Sequence, residues 1–178
     1  MSAVGIDDLA AALAQAQTVL AGVRADQAST STPCASWAVT ELVTHLLTDL
    51  DQFVVMAEGR DVDWTATREP VAPDTWAAEF ADGSARLLAA WRATGPNLGL
   101  GMQVAELAVH TWDLDVATGQ GTPLDPGLAE QGLAWMTGML QDEYRGSEAD
   151  GKSFGPRVEV ADDAGAYERL AAFSGRTP

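Results

Sequence analysis

Apolar residues recur three and four positions apart along most of the chain, and alternating runs are almost absent, so the sequence reads as helix after helix. A first helix is expected over about 6–25, turning Leu9, Leu13, Val19 and Leu20 inward. A loop at 29–36, holding Pro33 and Cys34, leads into a second helix over about 38–59. Its residues Val39, Leu42, Val43, Leu46, Leu50, Phe53 and Val54 form one apolar stripe. The polar, proline-bearing segment 60–73 predicts no regular element. A third helix is expected over about 75–94, with Asp74 as its cap and Gly95-Pro96 as its stop. A fourth is expected over about 101–118, closed by Gly119 in a left-handed conformation. The pair Asp125-Pro126 marks the cap and first turn of a fifth helix, ending before Gly146. Beyond a polar stretch at 147–156, Val158-Glu159-Val160 suits a short extended piece, and a last helix is expected over about 165–173. This order predicts an all-α protein in one domain, 1–178: an antiparallel four-helix bundle with one or two additional helices, including the short C-terminal one.

Composition narrows the partners. The 178 residues are 47% hydrophobic, enough for a sizeable core. Twenty-six acidic residues against ten basic ones give a formal charge of −16, which repels nucleic acid and anionic membrane surfaces. The single cysteine, Cys34, excludes an internal disulfide framework and thiolate-rich zinc motifs, and fits a reducing cytoplasm. Asp7 and Asp8 stand where a secretion signal needs apolar residues, and no window reaches the roughly 18 uncharged apolar residues of a membrane span. A cytoplasmic globular domain is expected.

The two histidines, His45 and His110, both fall in the middle of predicted helices. Glu41 and Asp49 flank His45 by one turn, and Glu106 precedes His110 by one turn. On the fourth helix, Thr111, Asp115 and Thr118 form an expected solvent face. Glu106, His110 and Asp113 gather on a second arc, about 140° away at roughly 100° per residue, and should face the interior. Burying such charges costs several kcal/mol per ion unless they are compensated, and the chain holds only ten cations. A bound metal is the simplest partner. Glu106 and His110 can converge on one ion, with His45 from a neighbouring helix as a third ligand. His45 sits about 120° from the centre of its helix's apolar stripe, at the rim of the core where solvent can enter. Two nitrogens and one oxygen suit zinc, nickel or ferrous iron and leave a position for water or substrate. The same spacing also fits histidines simply paired with local acids. Asp113 reads as an acceptor for His110 or a helix-to-helix hydrogen bond, not as a fourth ligand. Cys34 reads as a small buried hydrophobe, and Arg157, Arg169 and Arg176 as surface or loop-pinning charges. The tryptophans read as core, although Trp37 and Trp112, near the histidines, could wall a pocket. No phosphate-binding glycine loop, Gly-x-Ser-x-Gly elbow or glycosidase carboxylate pair is present.

Three stretches carry a family resemblance: TPCASWAVTELVTHL (32–46), AELAVHTWDLDVATGQ (105–120) and FGPRVEVADDAGAYERLAAFSGRTP (154–178). They resemble the actinobacterial DinB-like, mycothiol-dependent maleylpyruvate isomerase N-terminal-domain family. The resemblance implies a four-helix bundle and a divalent metal held by His45, Glu106 and His110, and leaves Glu41 and Asp49 as ordinary flanking charges. It further implies a low-molecular-weight thiol such as mycothiol as cosubstrate, in a transferase or isomerase acting on a small electrophile, the protein being a monomer or homodimer. Two departures stand beside it. The isomerase's second domain, which supplies a catalytic arginine, finds no counterpart after Pro178, and Ala38 occupies the cap position where Ser or Thr is usual. The other reading is therefore a non-catalytic metal-binding or interaction module.

Overall fold

The structure, a computed structural model, describes residues 4–34, 36–147, 152 and 154–178. Among these residues the regular elements are six α-helices: α1 (Ile6–Ala21), α2 (Val39–Ala57), α3 (Trp76–Thr94), α4 (Leu98–Thr118), α5 (Pro126–Met139) and α6 (Ala166–Phe173). The protein is all-helical, as its periodicity predicts. No helix among the described residues is long and apolar enough to cross a membrane.

Local chemistry explains where the helix ends depart from expectation. α1 stops at Ala21 and a 3-10 turn, Ala25–Gln27, takes up the rest of the expected helix. Asp74 does not cap α3, because it lies inside the 3-10 turn Pro73–Thr75 that feeds Trp76. α4 starts earlier than expected because the Asn97 side chain accepts the Gly99 N–H at 2.8 Å and caps it there. α5 ends at Met139, before Gly146 as expected, where Leu140 turns to extended backbone and buries its side chain. The Asp125 cap, accepting the Gly127 N–H at 2.8 Å, and the left-handed Gly119 at φ 65° fall where the sequence puts them. At 158–160 there is no strand, only a Val158 N–H donated to the Ala172 carbonyl at 2.9 Å. Within the polar 147–156 stretch, 148–151 and 153 lie outside the described residues.

α1 packs on α3 and α4, and α2 packs on the same two helices. The α2 stripe from Val39 to Phe53 is buried as expected, meeting Leu9 and Leu13 of α1, Phe80, Leu87 and Trp91 of α3, and Leu100, Val104 and Leu107 of α4 in one cluster. Each such side chain contributes roughly 1.5–3 kcal/mol when fully buried. α5 and α6 cover the other flank of α4, where Ala105, Ala108 and Val109 meet Ala129, Met136 and Leu170 in a second cluster.

α4 is thus enclosed on two sides, and this overturns the expected solvent face. Thr111, Asp115 and Thr118 are buried. Thr118 Oγ1 donates to the Leu114 carbonyl at 2.7 Å, and Asp115 accepts the Thr122 N–H at 2.9 Å. Val116 is the exposed residue there.

After α6 the chain folds back on itself. Gly175, at φ 91°, adopts a left-handed conformation that favours glycine, and a Cβ there would lie 2.7–2.9 Å from the Gly155 backbone. This close crossing, with the Arg176 N–H bonded to the Ala171 carbonyl at 2.9 Å, aims Arg176 inward.

Candidate metal centre

Two helices that pack together bring the chemistry to one place. α2 presents His45 from its rim, half-buried as the helical wheel predicts, and α4 presents Glu106, His110 and Asp113 from its interior arc. Donor atoms of His45, Glu106 and His110 lie within 4.8 Å of one another. Glu106 Oε2 stands 3.2 Å from His110 Nε2 and 3.9 Å from His45 Nε2, and the two imidazoles meet nearly edge-on at 4.8 Å between centroids. His45 Nε2 is buried without a hydrogen bond, because Asp49 Oδ2, though 3.2 Å away, is out of hydrogen-bond geometry. A buried imidazole nitrogen without a partner, facing a carboxylate and a second imidazole, suits a divalent cation.

The α4 side is fixed from behind. His110 Nδ1 lies 3.0 Å from Oδ2 of the fully buried Asp113. Arg176 closes the chain, donating from Nη2 to Asp113 Oδ2 at 2.9 Å, from Nε to Oδ1 at 3.2 Å, and from Nη1 to the Ser174 carbonyl at 3.1 Å. With Nδ1–H committed to Asp113, His110 Nε2 is the nitrogen turned toward Glu106 and the cavity.

The electrostatics follow from these contacts. Burial alone would raise the Glu106 carboxyl, but the neighbouring His110 and His45 rings overcome it and hold the group well below the usual carboxylate range. Burial would favour a neutral His110, yet its hydrogen bonds to Asp113 and Glu106 push the ring up to about 9. Burial raises Asp49 to about 6, partly countered by His45. The cluster therefore gathers three carboxylates around two imidazoles, with Arg176 as the permanent cation in contact with it.

His45, Asp49, Glu106, His110 and Arg176 border a cavity of about 520 Å³ whose wall includes Cys34, Trp37, Phe53, Trp64, Met136 and Phe154. The Trp37 ring lies tilted against both imidazoles, 4.7 Å from His45 and 5.8 Å from His110 between centroids. Residues 9–115 match the family model of the mycothiol maleylpyruvate isomerase N-terminal domain. The chain belongs to this family. Two proteins of Mycobacterium tuberculosis, the uncharacterized protein MT0763 of strain CDC 1551 / Oshkosh and the uncharacterized protein Rv0738 of strain H37Rv, are each 31% identical to it over 89% of this chain and 90% of their own length. No solved structure matches the chain.

The stretch matched to the mycothiol maleylpyruvate isomerase N-terminal domain contains His45, Glu106, His110 and Asp113, and stops short of α5, α6 and Arg176. The structure brings the three expected ligands together and puts Asp113 behind His110, as the spacing implies. It separates the two acids read as flanking charges. Glu41 is exposed and accepts the Ala38 N–H at 3.0 Å, the half of a capping box that does not need a side-chain acceptor at Ala38. Asp49 is no ordinary flanking charge: α2 turns it inward, buried against His45 on the cavity wall. Cys34, in the turn before α2, is half-buried on that wall and not in the core. Trp37 walls the cavity but Trp112 does not, and Trp64, from the irregular 60–73 segment, takes that place. Arg157 is exposed and lies over the Phe173 ring, with Arg145 also stacked on that ring. Arg169 Nη1 donates to the Ala164 carbonyl. Arg176, expected at the surface or pinning a loop, is buried on Asp113 and is the permanent cation that this carboxylate contacts among the described residues. Its one legible signal was the scarcity of cations in so acidic a chain.

Proposed function

We propose that His45, Glu106 and His110 bind one divalent ion, zinc first and nickel or iron as alternatives, and that the protein uses it with a low-molecular-weight thiol, mycothiol by family, to transfer or isomerise a small electrophile. The observation that carries this reading is the convergence of three donors from two helices at the edge of a cavity of about 520 Å³. A closed structural zinc site is four-coordinate and cysteine-rich, whereas this donor set leaves room for an exogenous ligand. The adjoining cavity favours turnover over a purely metal-binding or interaction module.

When bound, the ion supplies the Lewis acidity that makes a thiol a thiolate at neutral pH. The chain's own residues do the rest. Arg176 and Asp113 hold the His110 ring in one orientation. Asp49, on the cavity wall, takes the thiol proton on its carboxylate. In a transfer, the sulfur bonds to the electrophilic carbon while the leaving group departs with its electron pair. In an isomerisation, the sulfur bonds to one carbon of a conjugated double bond, whose electron pair moves onto the substrate's carbonyl. The substrate rotates about the resulting single bond, the pair returns as the C–S bond breaks, and the departing thiolate takes back its proton from Asp49.

In the same reading α1 to α4 make a DinB-like antiparallel four-helix bundle, and α5, α6 and the tail extend it within one domain, 1–178. The protein works in the cytoplasm as a monomer or homodimer, without nucleic acid or membrane. Cobalt-substituted protein titrated with mycothiol tests the chemistry. A sulfur-to-cobalt charge-transfer band that is absent in His110→Ala is expected. No spectral change with any thiol would remove the thiol role.

A further inference from the structure

The cavity's walls say which kind of electrophile fits it. The cavity wall includes Trp37, Phe53, Trp64, Met102, Met136 and Phe154, contributed by several separate segments of the chain. Phe53 and Trp64 meet edge to face at 5.6 Å, and Trp37 packs at a tilt against both imidazoles, giving them an apolar neighbour. A volume of about 520 Å³ is of small-molecule size.

The charges point the same way. Among the described residues, the cations on the wall are Lys152 and Arg176, and both are engaged. Arg176 is spent on Asp113 and the Ser174 carbonyl, and Lys152 Nζ donates to the Glu143 carbonyl at 2.6 Å. Asp49, Glu106 and Asp113 oppose them. Before any ion or thiol binds, these three carboxylates outnumber the two permanent cations. No surplus positive potential is left to receive a dianion, and the chain as a whole carries −16. A neighbouring groove of about 380 Å³ shares Trp37, His45, Asp49 and Trp64 with the chamber and is also mostly apolar, with Ala66 and Pro70 in its wall.

We propose that the chamber takes an uncharged electrophile with a flat, aromatic or similarly apolar body and discriminates against dicarboxylates, with Trp64 as a specificity-determining residue. The proposal rests on the metal-and-thiol reading for the word electrophile, but not for the binding preference itself. Trp64 reaches the site because Gln52 Nε2 donates to the carbonyls of Asp63 at 3.0 Å and Ala66 at 3.2 Å, fastening the segment that carries it.

The test is a titration of the full chain, zinc-loaded and metal-stripped, with cinnamamide, cinnamate and maleate, following the indole N–H resonances of Trp37 and Trp64 by NMR. Cinnamamide should shift both resonances in both samples, and maleate should bind about tenfold more weakly or not at all. Trp64→Ala should weaken cinnamamide by about fivefold or more while zinc content, measured on the same sample, stays unchanged. Trp64→Phe should restore most of the affinity. Maleate binding as tightly as cinnamamide, or cinnamamide leaving both indoles unmoved, would overturn the proposal. A protein that holds no zinc yet binds cinnamamide at these two indoles would refute the metal reading and leave this one standing.

Discussion

His45 and His110 each sit in mid-helix with a carboxylate one turn away, yet the two halves of the site are built differently. On α4, His110 is buried with both ring nitrogens facing carboxylates, Asp113 on one side and Glu106 on the other, and Arg176 anchors the row from behind. On α2, His45 keeps 28% of its side chain exposed and its Nε2 has no hydrogen bond. One half is held rigid by the protein itself. The other is completed only by what binds there. The difference teaches that the cation's position is set by α4, while α2 supplies the open side that a substrate can approach.

The sharpest way to break the rigid half is to remove its anchor. Arg176→Met leaves the fully buried Asp113 without its permanent cation, and should cost about 3–5 kcal/mol of stability, measured by urea unfolding of the metal-free protein. A loss below about 1 kcal/mol, the range of an exposed ion pair, would show that the row is not held from behind.

Asp113→Asn is milder because it keeps the shape and removes the charge. It should weaken zinc binding by about 10- to 100-fold in chelator competition, the usual range for a residue that orients a ligand. The substitution of Glu41, equally acidic but exposed and spent on a helix cap, should leave zinc affinity unchanged.

Acidity sharpens the comparison further. In the metal-free protein His110 keeps its proton up to about 9, so an ion arriving below that pH must displace it. The proton competes with the ion, hence zinc affinity should rise with pH, by at most about tenfold per unit from this group, and level off above about 9. Affinity independent of pH between about 6 and 9 would contradict the ligand role of His110.

The smallest effect concerns the fold. The two apolar clusters are complete without the site, so stripping the metal should leave helical circular dichroism unchanged. A cooperative loss of helix on chelation would mean that the open half is structural.

What the sequence made legible follows the same division. Residues on one helix announce their relation by spacing, and so the Glu106, His110 and Asp113 arc could be read, as could the inward stripe of α2. The existence of the helices was legible for that reason, while their ends depended on single side chains such as Asn97 and Leu140. Contacts across the chain leave no spacing signature. Arg176 lies 63 positions from the Asp113 it pairs with, and Trp64 comes from a segment with no periodicity at all. The misplaced solvent face of α4 has the same origin, since a helical wheel assumes one side in water and cannot foresee that α1 and α5 flank this helix. Asp49 and Glu41 are equivalent on paper, and only the direction in which α2 turns them separates a cap from a wall of the cavity.

The central claim is that the open and the rigid half meet on one ion. Elemental analysis of protein purified without added metal, beside the His45→Ala/His110→Ala double variant, tests it most directly. About one equivalent of a divalent metal in the natural protein and essentially none in the folded double variant is the result expected of a three-ligand site. Equal metal content in the two proteins, or none in either after zinc is offered, would contradict it.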